Sequence, residues 1–162
     1  GKPVYAWFDN GTIKWWSEAE YVNASSSLSN LCDEMNNLTD ISGLYDWRIQ
    51  KTTDMSSAFY NCISLIDLAP LSNWDTGNVT KMGYMFSGCT NLIDLTQLSN
   101  WDISKVNALY AMFLSCKNLS DLTPIASWDT TNVTNMSEMF SYCASLTDLS
   151  PLTGLKSVRL AQ

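Results

Sequence analysis

The chain has 162 residues, 46% of them hydrophobic, and 9 basic against 16 acidic side chains give it a net charge of -7. That hydrophobic share argues against disorder, and no apolar run approaches the roughly 18 residues needed to cross a bilayer, so no membrane insertion is expected in this segment. The acidity leaves no Lys/Arg surface for phosphates and excludes nucleic acid as an expected partner, while the absence of histidine excludes Ser-His and Cys-His catalysis.

In chain order, Val4 to Phe8 and Thr12 to Trp16 are aromatic, β-prone runs joined by Asp9-Asn10-Gly11, which predicts an N-terminal β-hairpin. Ser17-Glu18-Ala19-Glu20 reads as a capping box that opens a short helix reaching Tyr21 or Val22. Residues 1–27 are therefore expected to form a hairpin-and-helix cap over the first unit of a repeat array. No signal peptide is read at Gly1-Lys2-Pro3.

From Leu28 the sequence repeats every 27 residues. Trp47, Trp74, Trp101 and Trp128 fall in one column, Cys62, Cys89, Cys116 and Cys143 in a second, and Asp40, Asp67, Asp94, Asp121 and Asp148 in a third. A period of this size makes each unit one supersecondary element that buries its apolar face on its neighbour. The array is divided into 28–54, 55–81, 82–108, 109–135 and a partial 136–152, with 153–162 as a C-terminal cap or a point of truncation. The first unit carries exceptions, because Cys32 stands in the column of Phe59, Phe86 and Phe113 and Met35 in that of the cysteines.

Within a unit, Met82, Met85, Phe86 and Cys89 have the i, i+3, i+4, i+7 spacing of a helix of about two turns. Thr53, Thr80, Asn107 and Thr134 stand where its N-cap is expected. Leu92-Ile93-Asp94-Leu95 then has the length of a stacking strand, the segment on to Trp101 reads as a turn, and Val79, Val106 and Val133 suggest a second short strand.

The columns Met-x-x-Met-Phe-x-x-Cys-x-x-Leu-x-Asp-Leu, followed by Ser-Asn-Trp-Asp and Asn-Val-Thr, resemble the bacterial surface leucine-rich repeats of the BspA type, in particular the branch first noted as repeats in mycoplasma lipoproteins. The resemblance covers Leu28 to about Leu152, and the Tyr5 to Ile13 stretch is similar to the hairpin that introduces such arrays. Asp-Leu-Ser-Pro-Leu is also similar to the internalin repeats, although the unit here is longer and centres on Met-Phe and Cys. The resemblance implies an α/β fold: a leucine-rich-repeat-like, right-handed solenoid with short parallel strands and short helices behind the hairpin cap. It also implies a bacterial cell-surface or secreted location and a role in adhesion through a protein or glycan partner. No catalytic residues come with the motif.

The aspartate column is the one feature that reads as a site. Carboxylates on adjacent units would lie about 5 Å apart, near the spacing of a retaining glycosidase pair, yet an active site breaks repeat symmetry and these residues recur in every unit. They are read as acceptors of backbone N–H groups; calcium bridging through Asp67, Asp94 and Asp121 and catalysis are the alternatives. No cofactor is expected, and the cysteines are read as small buried hydrophobes. Binding is assigned to variable outward positions: Ile66, Ile93, Ser120, Thr147, Tyr84, Tyr110 and Tyr142, with Tyr60, Ser87, Leu114 and Ser141 on the exposed side of the expected helix. The leading expectation is a non-enzymatic recognition or adhesion module. A structural spacer is the alternative, and a glycan-active enzyme using the aspartate column is the remote one.

Overall fold

A computed structural model of the chain describes residues 4–17 and 21–154. Strands β1 (Val4–Asp9) and β2 (Thr12–Ser17) pair antiparallel from Asp9↔Thr12 to Val4↔Ser17. Asn10 and Gly11 have φ of 47° and 85°, the geometry a two-residue hairpin turn requires. Gly11 is needed for a second reason: a Cβ there would meet Thr39 Oγ1 at 2.8 Å. Its carbonyl accepts the N–H groups of Thr39 and Asp40 at 2.7 and 3.0 Å, and Ile13 N–H donates to Asp40 O at 3.0 Å. The predicted hairpin therefore forms and lies against the first unit. Of the short helix expected from Ser17 to Tyr21 or Val22, residues 18–20 lie outside the described residues, and its two ends are not helical: Ser17 ends β2 and Val22–Asn23 is a strand.

The expected leucine-rich-repeat-like solenoid of short parallel strands and short helices is contradicted. Among the described residues there is no α-helix, and the only sheets are two of two strands each. These are the hairpin and a parallel pair of β3 (Val22–Asn23) with β4 (Trp47–Arg48). Leu92 to Leu95 is neither strand nor helix, and the next residues, Thr96–Leu98, form a 3-10 turn like Ala69–Leu71 and Thr123–Ile125. Val79, Val106 and Val133 are not strands either; each closes a tight turn by donating its N–H to Thr76, Ile103 or Thr130 at 2.8 to 3.0 Å.

The helix fails for a backbone reason. Tyr84 and Gly88 have φ of 58° and 76°, and the same two positions are left-handed in the other units, at Asn30 and Glu34, Ser57 and Asn61, Ala111 and Ser115, and Glu138 and Tyr142. A left-handed residue every fourth position interrupts any right-handed helix, at a cost of about 1 kcal/mol or more for each non-glycine residue. Hydrogen bonding between units offsets that cost. Alternate amides leave the unit, Met82, Tyr84, Phe86 and Gly88 donating to Ala108, Tyr110, Met112 and Leu114 at 2.7 to 3.0 Å. The amides that follow the last three of these, from Met85, Ser87 and Cys89, turn back to Met82, Tyr84 and Phe86 at 3.1 to 3.3 Å. Thr80 caps no helix; its N–H and its hydroxyl both donate to Thr53 O, at 2.8 and 3.0 Å.

Apolar columns fill the interior. Phe59, Phe86, Phe113 and Phe140 form a stack with centroids 5.5 to 5.7 Å apart and planes within 6°. Beside it, the indole N–H groups of Trp74, Trp101 and Trp128 donate to the carbonyls of Leu44, Leu71 and Leu98 at 3.1 to 3.2 Å. The thiols of Cys62, Cys89, Cys116 and Cys143 point to carbonyls of the preceding unit at 3.0 to 3.1 Å, and all five cysteines are free and buried. Each unit thus receives polar as well as apolar contacts from the one before it.

Candidate functional site

The aspartate column is occupied with its own backbone. Oδ1 of Asp40, Asp67, Asp94, Asp121 and Asp148 accepts the N–H two residues on, from Ser42, Ala69, Thr96, Thr123 and Ser150, at 2.8 Å in every case. Asp102 and Asp129 do the same to Ser104 and Thr131 at 2.9 and 3.0 Å. These are Asx turns, in which a short carboxylate satisfies an amide that the tight backbone leaves over. They hold Asp40, Asp102, Asp121 and Asp148 below the usual carboxylate range. Asp40 and Asp148 are held mainly by the backbone N–H of Ser42 and Ser150, Asp102 and Asp121 mainly by the side chains of Ser104 and Thr123. A general acid needs the opposite shift. Among the described residues no group of three or more acidic, cysteine or histidine side chains is placed to hold a metal ion.

The outward candidates fall on two separate stretches of each unit. Ile66 and Ile93, 54% and 51% exposed, share a column with exposed Ser120 and Thr147 on the stretch before the 3-10 turns. Tyr84, Tyr110 and Tyr142 come from the left-handed stretch, Tyr142 being 78% exposed and the other two half-buried. Ser87, expected to face outward, is 3% exposed and lies in the interior, because the backbone there is not helical and the helical outward face does not exist.

Three tyrosines meet across units. Tyr60 and Tyr84 pack edge to face at 6.3 Å and 79°, and Tyr84 and Tyr110 at 4.9 Å and 83°. The Tyr110 hydroxyl donates to Glu138 Oε1 at 3.3 Å. The neighbouring Tyr84 hydroxyl, partial desolvation and the Glu138 carboxylate push the Tyr110 phenol up to about 12. Tyr60 and Tyr84 also line an open groove of about 330 Å3 with Asp33 and Ser57. The result is an aromatic strip over units two to four with a carboxylate near each end, and its perpendicular rings offer both faces and edges to a ligand.

Sequence reading singled out Tyr84 and Tyr110 but not Asp33, Ser57 or Glu138, and placed Tyr60 only on the exposed side of a helix. Tyr60 stands in the column of Ser87, Tyr84 in that of Ser57 and Ala111, and Tyr110 in that of Gly83. The strip runs diagonally across the repeat, so comparing equal positions hides it.

Residues 26–150 match the sequence profile of a family described as Mycoplasma protein of unknown function, DUF285. No curated protein and no solved structure matches the chain.

Proposed function

The chain belongs to the DUF285 family, and we propose that it is a non-enzymatic recognition module of a bacterial cell-surface or secreted protein, binding a protein or glycan partner through the strip of Tyr60, Tyr84 and Tyr110. The observation that carries this reading is the contrast between columns and strip. Recurrent side chains serve packing and turns, whereas the cluster of partly exposed rings at Tyr60, Tyr84 and Tyr110 breaks the repeat. Tyrosine is a favoured contact residue, since its large amphipathic ring loses little conformational freedom on binding. The likeness of the columns to BspA-type surface repeats supports the same role and location.

The test is a screen of immobilised glycans and host surface proteins, repeated with Tyr60→Ser and Tyr84→Ser. Loss of at least tenfold in affinity with an unchanged melting temperature supports the strip as the contact. No binder at micromolar concentration would favour a spacer that holds other domains apart. A binder indifferent to both tyrosines but lost on Ile66→Ser and Ile93→Ser would move the contact to the other face.

A further inference from the structure

Asp33 differs from the aspartates that recur in the array. Asp40, Asp67, Asp94, Asp121 and Asp148, like Asp102 and Asp129, each accept a main-chain N–H two residues on. The Asp33 carboxylate is exposed and has no hydrogen bond or ion pair among the described residues. It closes no turn, and in the next two units its position is held by Tyr60 and Ser87. The main chain fixes where it stands, because the amide of Glu34 donates to Tyr60 O at 2.7 Å and so sets Asp33 alongside Tyr60. In the same way the Ser57 N–H donates to Gly83 O at 2.9 Å and sets Ser57 alongside Tyr84.

These two pairs line the open groove at the start of the strip. Its lining combines two large rings, Tyr60 and Tyr84, with a single formal charge, and that charge is negative. No Lys or Arg lines the groove to neutralise it, and the chain as a whole carries -7. A long side chain with an apolar stem and a cationic head suits both parts: the stem packs on the rings, and the head meets the carboxylate while the ring π systems attract it. A neutral sugar would use the rings and not the charge, and an acidic one would be repelled by Asp33 and by the net charge.

We propose that this groove receives a lysine or arginine side chain of a protein partner, so that the strip selects a basic segment over a neutral surface or a glycan. The inference rests on the reading of the tyrosine strip as the contact and names what that contact selects. Asp33 supplies the charge, Tyr60 and Tyr84 supply the packing surface, and the net charge of -7 draws a basic segment toward the molecule.

Blocked tripeptides Gly-Lys-Gly and Gly-Arg-Gly, the neutral Gly-Gln-Gly and the disaccharide cellobiose are titrated into the nitrogen-15-labelled protein. The two basic peptides should shift the main-chain amide signals of Asp33, Ser57, Tyr60 and Tyr84 and bind about tenfold tighter than either neutral probe. Asp33→Asn should remove most of that advantage, and so should molar salt, which screens an exposed pair. Asp46→Asn makes the same charge change at another exposed aspartate of the first unit and should leave the advantage intact. Equal affinities for the basic and neutral peptides, no shift of the four signals at millimolar basic peptide, or an Asp33→Asn loss no greater than that of Asp46→Asn would overturn the proposal. Neutral probes that shift these signals and lose binding on Tyr60→Ser would overturn the basic ligand and leave the strip as the contact. Basic peptides that shift only signals around Ile66 and Ile93 would overturn both.

Discussion

The indole N–H of Trp101 donates to the main-chain carbonyl of Leu71, 30 residues earlier, at 3.1 Å, and Trp74 and Trp128 repeat the bond with Leu44 and Leu98. Each bond ties the end of one unit to the 3-10 turn of the unit before it. Trp101→Phe removes the donor and opens a small void, while the Leu71 carbonyl keeps the main-chain N–H of Trp74 at 3.1 Å, for an expected loss of about 1 to 3 kcal/mol. Trp47→Phe has no such bond to lose and should cost about 1 kcal/mol or less. Urea unfolding of the two variants side by side measures the difference; equal losses would show that the bond contributes nothing.

The Asx turns give the fold an acid limit. A carboxylate whose folded pKa lies below its unfolded value stabilises fully above the unfolded pKa and loses that contribution as pH falls through the folded one. Asp40, Asp102, Asp121 and Asp148 are all lowered from 3.8. Stability from these groups should be flat from neutral pH down to about 5 and fall below about 4. Thermal melts across pH 2 to 7 read this out, and the acid-side slope should shrink in an Asp121→Asn, Asp148→Asn double variant. A loss of stability centred near neutral pH would contradict the assignment.

How far the sequence carried depends on which physical signal each element leaves. The hairpin was legible because Asn10-Gly11 permits only a few turn geometries, and the 27-residue columns were legible because repetition exposes burial directly. Met82, Met85, Phe86 and Cys89 are all buried as the spacing requires, yet that spacing does not distinguish a helix from a run of tight turns. The distinguishing feature is left-handed backbone at Ser57, Tyr84, Ala111 and Glu138, four residue types that announce nothing of the kind. Their conformation is imposed by amides that bond to the neighbouring unit, which is tertiary information. The tyrosine strip was half legible for a similar reason: its members are visible singly, and their meeting depends on how units sit on one another.

Gly88 tests the left-handed stretch. Its φ is 76°, and an added Cβ would lie 2.0 Å from Asn61 Oδ1. Gly88→Ala should cost about 1 to 3 kcal/mol, from the strained backbone and the displaced Asn61 side chain together. In an Asn61→Gly background the steric part vanishes and the cost should fall toward about 1 kcal/mol. Gly83→Ala is the control, since its Cβ would meet only Tyr110 O at 3.5 Å, an ordinary contact. Guanidinium melts of the unaltered protein and these four variants separate strain from collision, and a Gly83→Ala loss equal to that of Gly88→Ala would defeat the account.

The thiols should be inert until the array opens. Burial pushes Cys62 up to about 12 and Cys143 to about 11, and raises Cys32, Cys89 and Cys116 as well. Reaction requires the thiolate, so a disulfide reagent at pH 8 should label none of the five cysteines within minutes in the native protein and all of them in denaturant. Cys143, 8% exposed in the last described unit while the other four are fully buried, should react first as denaturant is added. Mass spectrometry of the modified peptides gives the order of labelling, and Cys89 or Cys116 ahead of Cys143 would show that the middle of the array opens before its end, against the packing described.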